Sequence, residues 1–126
     1  MQNNQILVIE DDVSIRETLV EILESQDYTV IPACNGKEGL QKLTSNLNIK
    51  LVLLDLMMPV MDGLTFRKFQ LENSDLSDIP VIILSADAKT REKMSHDSKN
   101  KGVVLLPKPI DLDKLINSVE TLLKTS

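Results

Sequence analysis

Polar residues of complementary kinds follow four short aliphatic runs of this chain. Glu10-Asp11-Asp12 follows Ile6-Leu7-Val8-Ile9, and Asp55 follows Leu51-Val52-Leu53-Leu54. Ser85 follows Val81-Ile82-Ile83-Leu84, and Lys108 comes two residues after Val103-Val104-Leu105-Leu106. Carboxylates gathered at close range repel, by about 4 kcal/mol per pair at 4 Å and an effective dielectric near 20. A hard divalent cation would offset that repulsion, and magnesium suits a site with few protein oxygen ligands because it keeps several waters. Such an ion could hold a phosphoryl oxygen, with Lys108 as a second positive group and Ser85 as a hydrogen-bond donor. Asp55 would then be the nucleophile, since a carboxylate attacking phosphorus gives an acyl phosphate.

That chemistry requires four chain segments to bring their ends together. The four runs are apolar on every side and bounded by polar residues, which predicts strands buried on both faces. Tyr28-Thr29-Val30-Ile31 is more mixed and suits a strand nearer an edge. Helical spacing separates the strands. Ile15, Leu19, Ile22 and Leu23 recur at three and four residues, and Ser14 with Glu17 has the spacing of a capping box. Asn35-Gly36 starts a helix carrying Leu40 and Leu43, and Asp62-Gly63 one carrying Leu64 and Phe66. The polar segment 87–99 has Ala88 and Met94 as its main apolar contacts and is expected to be the most mobile helix. The last helix has Leu112, Leu115, Ile116, Val119, Leu122 and Leu123 on one stripe, with Asp111 placed to cap it. Strand and helix alternate five times, which implies right-handed crossovers and a parallel sheet covered on both faces. In such an α/β fold, ligands bind beyond the carboxyl ends of the strands.

Composition bounds the rest. A length of 126 residues fits one domain, taken as 1–126. With 42% hydrophobic residues but no Trp, one Tyr and two Phe, its core must be aliphatic. A net charge of −5 and no dense basic stretch argue against direct nucleic-acid binding. Cys34 is the sole cysteine, which rules out an intrachain disulfide and is expected to be a small buried thiol. No apolar run reaches the length of a membrane span, and residues 1–5 lack the features of a signal peptide, so a cytoplasmic location is expected. His96 and the Met57, Met58 and Met61 group read as bland, because no soft-ligand partners accompany them.

From Ile6 to the final helix the chain resembles the response-regulator receiver family of two-component signalling systems. The most specific stretch is Leu53-Leu54-Asp55-Leu56-Met57-Met58-Pro59-Val60-Met61-Asp62-Gly63, which is similar to the family's phosphorylation strand and following loop. The resemblance implies a flavodoxin-like, doubly wound (βα)5 fold with strand order 2-1-3-4-5. It implies Asp55 as phosphoacceptor, with Asp11, Asp12, Asp55 and the Met57 carbonyl holding magnesium, for which manganese or calcium could substitute. Met57, Ala86 and Lys108 would contact the phosphoryl group, Ser85 would bond it as a switch residue, and the bond before Pro109 would be cis. The partners implied are a histidine kinase or histidine phosphotransfer protein and a downstream protein or attached output domain, with no membrane contact. Signalling would leave through the face made by the 87–99 helix, the fifth strand and the fifth helix, which would also serve a weak homodimer.

Two positions depart from the family pattern. Leu105 stands where the family usually has a rotating Tyr or Phe, and Pro107 directly precedes the lysine. The response is therefore expected to rely on the loop after Ser85 and on the 87–99 helix. The chain would catalyse its own phosphorylation and dephosphorylation without being a conventional enzyme. Two other readings stay open at this point: an interaction module that is never phosphorylated, and a phosphatase with an aspartyl nucleophile.

Overall fold

The computed structural model describes residues 5–46, 48–55, 63–95 and 103–124. Five parallel strands, β1 (Gln5–Ile9), β2 (Thr29–Ala33), β3 (Ile49–Asp55), β4 (Val81–Ser85) and β5 (Val104–Pro107), form one sheet in the order β2-β1-β3-β4-β5. Helices α1 (Val13–Ser25), α2 (Gly36–Ser45), α3 (Gly63–Glu72), α4 (Ala88–Ser95) and α5 (Leu112–Lys124) alternate with them. This is the flavodoxin-like order expected.

The aliphatic runs are apolar throughout because successive side chains enter opposite layers. Leu7, Ile9, Val52, Leu54 and Ile83 pack on one face with Leu43, Phe66 and Met94 from α2, α3 and α4. Ile6, Val8, Leu51, Leu53, Ile82 and Leu84 pack on the other with Leu19 and Leu23 of α1 and Leu115 and Val119 of α5. The more mixed β2 lies at one edge, where Pro32 is tolerated, and β5 with Pro107 lies at the other. Gly39 of α2 sits so close to β1 that a Cβ there would fall 2.4 Å from Ile9 Cδ1.

Four sequence expectations change. Helix α1 is capped by Asp12, whose side chain accepts from Ile15 N–H at 3.0 Å, while Ser14 lies inside the first turn and makes no capping box with Glu17. Cys34 is exposed, because it follows an edge strand and turns toward Asn35 and Glu38. Ile15 and Leu112, placed on core stripes by their spacing, are 37% and 48% exposed. Ala88 of α4 is likewise exposed, leaving Met94 as that helix's buried apolar anchor among the described side chains. The α5 cap forms as read, Asp111 Oδ1 accepting from Asp113 and Lys114 N–H, and α2 starts at the expected place with Asn35 Oδ1 accepting from Glu38 N–H. His96 and the remainder of the 87–99 segment lie outside the described residues.

Candidate functional site

Register brings the polar strand ends together. Ile9 pairs with Leu54, so Glu10 emerges beside Asp55, while Asp55 pairs with Leu84 and Ser85 with Pro107. Glu10, Asp55 and Ser85 are 1%, 3% and 2% exposed, although each belongs to a residue type that usually faces water. Lys108 reaches over them from the end of β5, its ammonium 3.0 Å from Asp55 Oδ1 and 4.0 Å from Glu10 Oε1. The Lys108–Pro109 peptide bond is cis.

Carboxylate oxygens of Glu10, Asp11 and Asp55 lie within 4.8 Å of one another. Glu10 Oε2 accepts from the Asp12 N–H at 3.2 Å, whereas the buried Glu10 Oε1 has no hydrogen-bond partner among the described residues. Burial, followed by the facing Asp55 and Asp11 carboxyl groups, pushes the Glu10 carboxyl up to about 8. One ammonium would not balance all three groups if ionised, which is why Glu10 keeps its proton in the metal-free site. An all-oxygen set with an orphaned buried acceptor fits a hard divalent cation, so the residues present suit magnesium.

Asp12, expected among the metal ligands, does not join this cluster. Its side chain is committed to the α1 N-terminus, and Glu10 takes the expected place beside Asp11. Met57, expected to lend its carbonyl, lies outside the described residues. Ser85 Oγ accepts from Asp87 N–H at 3.2 Å, and Ala86 is exposed in the bend that follows β4. Leu105 pairs with Ile83 and packs, partly buried, against the cluster that contains Met94.

Two arginines tie the site's backbone and were not identified from sequence. Arg16 of α1 donates to the Glu10 carbonyl at 2.8 Å, and Arg91 of α4 donates to the Ser85 carbonyl. Arg16 lies one helical turn beyond the Asp12 cap, a spacing that could have suggested its reach. No sequence signal singles out Arg91.

A family model described as the response regulator receiver domain matches residues 6–120. The transcriptional regulatory protein CpxR homolog of Haemophilus influenzae is 34% identical over 98% of this chain, which spans about half of that protein's length, 52%. Among solved structures, the receiver domain of Francisella response regulator 1452 is 34% identical with a TM-score of 0.84, covering 98% of both chains. The response regulator TrrA of Thermotoga maritima, solved in complex with Mg(2+)-BeF, is 32% identical with a TM-score of 0.81, covering 94% of this chain and 98% of that one.

Proposed function

The chain belongs to the response regulator receiver domain family of two-component signalling, and from that premise we propose that it is a magnesium-dependent switch that takes a phosphoryl group on Asp55. The observation that carries this reading is a nearly buried Asp55 with the Lys108 ammonium at 3.0 Å and two further carboxylates beside it. Glu10, Asp11 and Asp55 would hold the ion, with the Met57 carbonyl as a further ligand; manganese or calcium could take its place. Bound there, magnesium would offset the carboxylate charge and orient a phosphoryl oxygen.

The Asp55 carboxylate attacks phosphorus, the P–O bond forms, and the P–N bond to a donor histidine breaks. Lys108 then exchanges Asp55 Oδ1 for a phosphoryl oxygen, the Ala86 amide offers a second contact, and Ser85 turns its hydroxyl inward. Attack by water on the acyl phosphate resets the site. The chain thus catalyses its own phosphorylation and dephosphorylation and is not a conventional enzyme.

A protein donor, a histidine kinase or phosphotransfer protein, is supported by the ground beside the site. An apolar groove of about 660 Å³ runs between α1 and the segment after β5, lined by Ile15, Ile22, Lys108, Pro109, Ile110 and Leu112. Exposed Ile15 and Leu112 give a helical partner something to cover, and Lys108 joins the groove to Asp55. Output is proposed through α4, β5 and α5 to a partner or attached output domain, with a weak homodimer on the same face and a cytoplasmic setting. A net charge of −5 favours a protein target over direct nucleic-acid contact.

Incubation with acetyl phosphate and magnesium tests the reading. About one acyl phosphate per chain is expected. No incorporation would favour a pure interaction module, and rapid release of many phosphates per chain with no accumulating acyl phosphate a phosphatase.

A further inference from the structure

The Ser85 carbonyl, at the end of β4, is where three parts of the molecule meet. It accepts from the Lys108 backbone N–H at 3.1 Å and from the Arg91 guanidinium at 2.5 Å. A carbonyl oxygen has two lone pairs, and both are used here. Lys108 in turn places its ammonium on Asp55, so a continuous chain of bonds runs from the acceptor carboxylate through Lys108 and Ser85 to α4.

Helix α4 is tied to the strand end by that chain. It is eight residues long, and most of its described side chains face solvent. Met94 enters the core near its far end, and Arg91 reaches back to the strand at its near end. The turn between is closed by Ser85 Oγ accepting from Asp87 N–H and by Asp87 Oδ1 accepting from Lys89 N–H. A guanidinium bound to a partly buried carbonyl is a charge-assisted bond, stronger than the neutral one between Ser85 Oγ and Asp87 N–H. If Ser85 turns its hydroxyl toward a phosphoryl group, the bond to Asp87 is lost, and Arg91 then decides whether α4 stays in place.

We propose that Arg91 is a positioning residue that clamps α4 to the Ser85 carbonyl in the resting state, so that arrival of a phosphoryl group must release this clamp before the α4 face can respond. The inference rests on the phosphorylation reading of the same site and adds to it the element that separates the two states. Leu105, which lacks the bulk and hydroxyl of an aromatic reporter, leaves that task open. A ligand that favours the released state binds more tightly when the restraint on that state is removed.

The test uses beryllofluoride with magnesium as the phosphoryl mimic, on the full chain. Arg91→Met keeps the aliphatic stem and removes the donors. It is expected to bind beryllofluoride about fivefold more tightly than wild type, and its α4 amides are expected to exchange faster without ligand. Arg91→Lys, which restores a cationic donor, should return both readings toward wild type. Loss of a merely structural residue would weaken the ligand, so the sign of the change discriminates. Unchanged or weaker binding by Arg91→Met overturns the proposal. Arg91→Gln, too short to span to the carbonyl, carries the same expectation should the Met variant fail to fold. A wild type that does not bind beryllofluoride would end the phosphorylation reading; the clamp would still be judged by ligand-free exchange, where equal α4 rates in wild type and variant overturn it.

Discussion

Replacing Glu10 with Gln removes the carboxylate that the metal-free site holds least favourably while keeping an oxygen to accept the Asp12 N–H. In the native state that carboxyl is pushed from 4.5 to about 8, first by burial and then by Asp55 and Asp11. The native state therefore carries the extra proton between these values. The stability this contributes is fully present below pH 4.5 and is lost as pH rises through about 8. Each pKa unit corresponds to about 1.4 kcal/mol. Allowing for relaxation around a site that Lys108 leaves partly open, ionised Glu10 destabilises the metal-free fold by on the order of 3 kcal/mol. For a chain of this size that is roughly 10 °C in melting temperature. Thermal melts in EDTA at about pH 4 and about pH 8.5, below the unfolded and above the folded value, provide the assay, because other titrating groups cancel between wild type and Glu10→Gln. The variant should match wild type at the lower pH and melt roughly 10 °C higher at the upper one. Equal differences at both pH values would refute the reasoning, since they would mean that Glu10 ionises as freely in the fold as in the unfolded chain.

Saturating magnesium at pH 8.5 should raise the wild-type melting temperature and raise that of Glu10→Gln much less, because binding to the native state stabilises by mass action; equal gains would exclude Glu10 as a ligand. Asp12→Ala should cost about 1 kcal/mol of stability through loss of the α1 cap, with magnesium affinity nearly unchanged by titration calorimetry. A large loss of affinity would return Asp12 to the metal site. Asp55→Asn should melt higher than wild type in EDTA and bind magnesium more weakly. Lys108→Ala should retain part of its acyl phosphate from acetyl phosphate but show no beryllofluoride-dependent change in α4 hydrogen exchange, since an ammonium contacting the phosphoryl group matters most once that charge has arrived.

The sheet was legible because its strands are aliphatic on both sides, a pattern that only a doubly covered parallel sheet uses economically, and their polar ends then named the site. The acids that cluster with Asp55 lie one position earlier than the pair read from sequence, for a physical reason. In Glu10-Asp11-Asp12 every residue is a carboxylate, and composition does not say where the strand ends and the helix begins. The offset does: Glu10 follows Ile6–Ile9 as Asp55 follows Leu51–Leu54, and register pairs Ile9 with Leu54. Asp12, one residue before Val13, stands where an N-cap belongs. Ile15 and Leu112 have core periodicity yet border a groove, because spacing identifies an apolar stripe but not what covers it. Arg16 and Arg91 act through long side chains on backbone carbonyls; the spacing of Arg16 from the Asp12 cap points to its contact, whereas no side-chain pattern encodes that of Arg91.

The central claim is that the buried carboxylate beneath Lys108 accepts the phosphoryl group. Phosphorylation with acetyl phosphate and magnesium, borohydride reduction of the acyl phosphate and peptide mass spectrometry test it most directly. The expected result is a single modified residue, Asp55, whose modification disappears in EDTA. Modification at Glu10, Asp11 or Asp12, or none anywhere under conditions where magnesium binds, would contradict it.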